Sequence, residues 1–211
     1  MRWSIVLVIL AVASTARAET AAPPAPCDGC IVVPAAHPQR PLVVLIHGDE
    51  QTPTAMTDAF RDLARERDYT LFTPTCPPER GCDQQSFWRW NEEPSRLVKA
   101  MTDLAARHRS THTWIVGWSG GAVYASFWIA DLEKHVSAMA LLGGASGTQG
   151  CGKRKLPVYL TAGDKNPYFK VLEYGRDRLQ ECKRAVTWRV LADKDHDDEW
   201  HLFASREFQR T

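Results

Sequence analysis

A hydroxyl attacks a carbonyl when a base takes its proton and an acid holds that base in the right tautomer. Ser119, Asp164 and His196 occur in the chain order Ser, Asp, His, and each follows an apolar stretch. Ser119 is the centre of Gly117-Trp118-Ser119-Gly120-Gly121, a match to G-x-S-x-G. Before it, Thr113 to Val116 is β-branched, aromatic and uncharged, as a buried strand is. After it, Ala122 to Ala130 has the length and composition of a helix. Strand, tight turn and helix would raise the serine hydroxyl clear of a sheet, with glycines making room. The helix start then directs unpaired N–H groups at a developing oxyanion. The chemistry such a set performs is acyl transfer through a covalent intermediate.

The elements that must position these groups alternate regularly. Strands are expected at Ile31 to Val33, Pro41 to Ile46, Thr70 to Thr73, Thr113 to Val116, Ser137 to Leu142, Leu156 to Thr161 and Ala185 to Leu191. Between them, helices are expected from a cap at Thr52 or Thr54, with Pro53 in the first turn, to about Arg67, and at about 94–107, 122–130 and 168–182, with a last helix over 197–209. This pattern predicts an α/β fold, doubly wound, with a mostly parallel sheet of about six to seven strands and helices on both faces. Ligands bind such sheets outside the carboxyl ends of the strands. His47, Ser119, Asp164 and His196 all lie just past strand ends, so topology gathers them on one edge.

With Leu45-Ile46-His47-Gly48-Asp49, Gly117 to Gly121, Ala162-Gly163-Asp164 and Asp195-His196-Asp197 in place, the chain resembles a small α/β-hydrolase over nearly all of residues 31–211. It is similar in layout to secreted carboxylesterases and polyester depolymerase-like esterases. The resemblance implies Ser119 as nucleophile, Asp164 as orienting acid and His196 as general base, with no cofactor and no metal. It implies an oxyanion hole made by the backbone N–H of Gly120 and one at Asp49. The loop carrying Asp49 and Glu50 departs from the Gly-rich version of many lipases, and its acidic side chains disfavour anionic substrates.

Rivals stand beside these assignments. Asp193 competes with Asp164 for the acid, and His201 with His196 for the base. His47 reads as a loop-bracing histidine. The acidic run around His196 could hold a metal, but solvated charges at a helix start account for it. Trp118, Trp88 and Tyr168 are the candidate substrate-binding residues, with packing of a stapled loop the competing role for Trp88 and Trp90. The short link over 145–154 leaves no room for a helical cap. A non-catalytic ligand-binding protein on the same fold, a thioesterase and a peptidase are the alternative functions.

The 211 residues carry 26 Lys and Arg against 25 Asp and Glu, and no basic stripe argues for nucleic acid. Arg2, the apolar run Ile5 to Val12 and Ala16-Arg17-Ala18 read as a signal peptide over 1–18, cut before Glu19. The run is too short to span a bilayer. Residues 19–30 form a leader with a Cys pair, and 31–211 a single domain. Six cysteines in an exported chain favour disulfides, though fifteen pairings are possible. Cys27–Cys30, Cys76–Cys82 and Cys151–Cys182 are the favoured set, and a redox or zinc C-x-x-C at Cys27 is the rival. The expected location is periplasmic or secreted, the expected partner a small or polymeric ester, and the oligomeric state stays open.

Overall fold

The computed structural model describes residues 25–75, 88 and 93–209. The expected signal peptide, the Cys76–Cys82 pair and Trp90 lie outside the described residues. Among the described residues seven strands form one sheet: β1 (Ile31–Val33), β2 (Leu42–Ile46), β3 (Thr70–Thr73), β4 (Thr113–Trp118), β5 (Ala138–Leu142), β6 (Pro157–Gly163) and β7 (Ala185–Leu191). Their order is β1-β3-β2-β4-β5-β6-β7. Only β1 runs antiparallel to its neighbour; every other pairing is parallel. Strand β4 is central and runs two residues past its expected end, because Gly117 pairs with Ile46 and Trp118 with Leu142.

The helices are α1 (Pro53–Arg67), α2 (Ser95–His108), α3 (Gly120–Phe127), α4 (Ile129–Leu132), α5 (Phe169–Glu181), α6 (His196–Phe203) and α7 (Arg206–Gln209). Helix α1 starts where Thr52 accepts the Ala55 N–H and Pro53 opens the first turn. Met56, Phe60 and Ala64 of α1 and Phe203 of α6 bury one sheet face. Leu97, Met101 and Leu104 of α2, Ala122 and Ala125 of α3 and Leu172 and Leu179 of α5 bury the other. Two expected helices are each broken in two. The backbone leaves helical geometry at Trp128, with φ −94° and ψ 16°. The last helix restarts at Ser205, whose hydroxyl accepts the Phe208 N–H and opens α7.

Residues 143–156, between β5 and β6, contain no helix, so no cap is inserted there. A buried ion pair shapes this link. Glu133 accepts the N–H groups of Lys153 at 2.7 Å and Arg154 at 3.2 Å. Arg184 bonds Glu133 and the carbonyls of Arg154 and Cys151. Disulfides join Cys151 to Cys182 and Cys27 to Cys30. Among the described residues no helix is long and apolar enough to cross a membrane.

Candidate active site

Ser119 links β4 to α3 at φ 48° and ψ −117°, a left-handed conformation that side chains rarely adopt. The turn is held from both sides. Its N–H bonds the Leu142 carbonyl at 2.9 Å, and its carbonyl accepts the Val123 N–H at 3.0 Å. Gly121 packs on β2 so closely that a Cβ would stand 2.4 Å from the carbonyl oxygens of Ile46 and His47. The steric reason for Gly121 is therefore the neighbouring strand, and for Gly117 the first turn of α3 at Ala122.

Ser119 Oγ lies 2.9 Å from His196 Nε2. His196 is the first residue of α6, and Asp195 caps that helix by accepting the Asp198 N–H at 2.9 Å. On the far side of the ring, Nδ1 lies 2.9 Å from Oε2 of Glu199. Glu199 is fully buried and accepts from the Gly163 N–H and from the Asn166 amide at 3.0 and 2.9 Å. A carboxylate facing Nδ1 fixes the proton there and leaves Nε2 free to accept the serine proton. The tautomer that can act as base is thus the one this pocket stabilises.

Asp164, the acid expected from the sequence, is not part of this array. It is exposed one residue past β6 and makes no hydrogen bond to His196. Its rival Asp193 is exposed as well, 3.8 Å from Lys165. The carboxylate that faces the ring comes from the first turn of α6, because positions three apart on a helix share a face. Glu199 and Asn166 are therefore the site residues that sequence reasoning missed. The signal for Glu199 was its spacing. It lies four residues before the buried Phe203, placing an acid on the apolar side of the helix. His201 is exposed and stands apart from the serine.

The residues expected to bind substrate divide. Tyr168 is 61% exposed, and its ring edge meets His196 at 6.4 Å. Trp118 is 4% exposed and is not a pocket wall. Alternation along β4 sends it to the α6 face, where it stacks under His196 at 4.7 Å and meets Phe203 and Trp200. It is the floor that carries the His196 ring. Trp88 packs between His47 at 5.3 Å and Tyr124 at 5.1 Å, as part of the core.

His47 is buried and donates from Nδ1 to the Gly48 carbonyl at 2.8 Å. Burial lowers its pKa, and the Gly48 bond offsets this only in part. The Asp49 carboxylate accepts the Trp88 N–H at 3.2 Å and lies over Gly120, where a Cβ would meet Oδ1 at 2.2 Å. Gly120 opens α3, so its N–H lacks an intrahelical acceptor. A carbonyl oxygen above Ser119 would find that donor.

No protein-family model matches the chain, and no curated protein matches it. Solved structures do share its fold. Esterase PE8 matches at 20% identity over 85% of this chain and 96% of that chain, with a TM-score of 0.64. The Bacillus cereus carboxylesterase matches at 13% identity over 83% and 94%, with a TM-score of 0.60. A carboxylesterase from Mesorhizobium loti matches at 16% over 82% and 90%, also with a TM-score of 0.60. Among the described residues the architecture is the α/β-hydrolase fold, with no cap between β5 and β6.

Proposed function

We propose that this protein is a serine hydrolase that cleaves carboxylic esters through an acyl-enzyme. The observation that carries the reading is the hydrogen-bonded line from Ser119 Oγ through His196 to Glu199, with 2.9 Å at each step. His196 Nε2 takes the hydroxyl proton as Ser119 Oγ bonds to the carbonyl carbon. The Gly120 N–H faces the oxyanion, with the Asp49 N–H as second donor. Glu199 holds the imidazolium that results. Collapse of the tetrahedral species breaks the bond to the alcohol oxygen, which leaves with the proton from His196. Water then enters by the same steps, releasing the acid and restoring Ser119. The fold neighbours named esterase and carboxylesterase support this chemistry over other uses of the fold.

The exposed Tyr168 beside His196 suits esters whose bulk stays outside the protein, polymeric esters included. Disulfides at two sites fit an exported protein, and we assign it to the periplasm or the exterior. The test is labelling with a fluorophosphonate together with hydrolysis of p-nitrophenyl acetate. Wild-type protein becomes labelled at Ser119 and turns over, and Ser119→Ala does neither, with kcat lower by about a million-fold. Unlabelled Ser119 in folded protein, or full activity in Ser119→Ala, overturns the reading.

A further inference from the structure

Two side chains converge on His196 Nδ1. Glu199 Oε2 lies 2.9 Å from it, and the Asn166 amide nitrogen 3.1 Å. Asn166 is 4% exposed and sits on the loop between β6 and α5. Its orientation is fixed, because Oδ1 accepts the Tyr168 N–H at 2.8 Å. The NH2 must therefore face His196 and Glu199. Glu199 is fixed likewise, because Oε1 receives the Gly163 N–H. Each side chain thus has one oxygen pinned by a backbone donor, and the other end of each points at the other and at the ring.

We propose that Asn166 and Glu199 form an exchangeable pair around His196 Nδ1. Asn166 is the positioning residue that holds the Glu199 carboxylate toward the ring, and the acid can be transferred from α6 to the β6–α5 loop by exchanging the two side-chain types. The catalytic part of this inference rests on the esterase reading; the tautomer part does not.

The hydrogen-bond count determines what each variant does. In Glu199→Gln the Gly163 N–H selects the amide oxygen, so the new NH2 occupies the position facing the ring. Two amide NH2 groups then face Nδ1, which must become an acceptor. The imidazole moves its proton to Nε2 and can no longer take the one on Ser119. In Asn166→Asp/Glu199→Gln every partner is restored. Tyr168 N–H bonds one Asp oxygen, Gly163 N–H bonds the Gln oxygen, and the Gln NH2 and the ring N–H both donate to the remaining Asp oxygen.

Nitrogen-15 NMR of full-length protein reads the tautomer of His196, assigned by the signal lost in His196→Gln. Wild type carries the proton on Nδ1. Glu199→Gln carries it on Nε2, and kcat for p-nitrophenyl acetate drops about ten-thousand-fold with KM unchanged. The double variant returns the proton to Nδ1 and recovers at least about a hundredfold in kcat over Glu199→Gln. A Glu199→Gln protein that keeps the Nδ1 proton overturns the proposal. So does a folded double variant that stays in the Nε2 form. If the double variant does not fold, the single variant's tautomer decides. If wild type hydrolyses no ester, the esterase reading fails, and the tautomer series still decides this one.

Discussion

Glu199 follows His196 by three residues on α6, and its carboxylate meets the ring N–H at 2.9 Å. The ring and the carboxylate facing it thus share one helical turn, whereas Ser119 arrives from the centre of the sheet. Asp164 is one residue past β6, but it faces solvent.

The first prediction separates these two carboxylates. Asp164→Ala retains kcat/KM for short esters within about twofold, as an exposed side chain away from the reacting groups does. Glu199→Ala lowers it by about a thousandfold or more, since the imidazole loses its tautomer preference and the imidazolium its counter-charge. Steady-state kinetics on p-nitrophenyl acetate, with circular dichroism to verify folding, compares them. Comparable losses in both variants would return Asp164 to the site.

Asp49 gives a prediction about substrate charge. Its carboxylate lies over Gly120, beside the position where an oxyanion forms. Asp49→Asn keeps the backbone donor and removes the charge. The expected result is a gain of about tenfold in kcat/KM for an ester bearing a carboxylate, relative to a neutral ester of the same length. An unchanged ratio would mean that the Asp49 charge is screened from the site.

Stability depends on a polar cluster remote from the serine. Arg184 and Glu133 are both buried and bonded to each other and to the 151–154 backbone. Burial alone would raise the Glu133 carboxyl, but the Lys153 N–H, the Arg184 guanidinium and the Arg154 N–H together hold it below its ordinary value. Arg184→Met strands that carboxylate at a cost of about 3–5 kcal/mol. The midpoint of thermal unfolding drops by about 10 °C. Replacing both partners, in Glu133→Leu/Arg184→Met, restores much of the loss.

His47 predicts a pH effect of definite sign. Burial lowers its pKa from 6.5, so the folded chain refuses a proton that the unfolded chain accepts. This group's effect is absent above the unfolded value and destabilises progressively as pH drops toward the folded one. His47→Asn therefore narrows the difference in unfolding midpoint between about pH 8 and about pH 5. The same difference in variant and wild type would show that His47 is protonated in the folded protein.

The sheet and the serine turn were legible because their signals are local. Uninterrupted apolar residues from Leu42 to Ile46 need a strand covered on both faces, and Gly117 to Gly121 need a tight turn. His196 was legible from its place after β7. The carboxylate facing its ring was not, because chain order and proximity to a strand end favoured Asp164 over a glutamate inside a helix. What decides between them is the direction in which each side chain points, fixed by helix phase and by the Gly163 and Asn166 donors. Trp118 was misjudged for the same kind of reason. Glycine neighbours suggest exposure, yet strand alternation turns its ring inward under His196.

Mounting His196 and Glu199 on one short helix couples the position of the ring to that of the carboxylate facing it. A rigid-body shift of α6 keeps the two side chains in register with each other, while the bonds from Gly163 and Asn166, the Trp118 stack and the gap to Ser119 change together. An insertion between residues 196 and 199 would separate proton acceptor from counter-charge in one stroke, whereas lengthening the connection ahead of Asp195 would leave both intact and merely slow their docking.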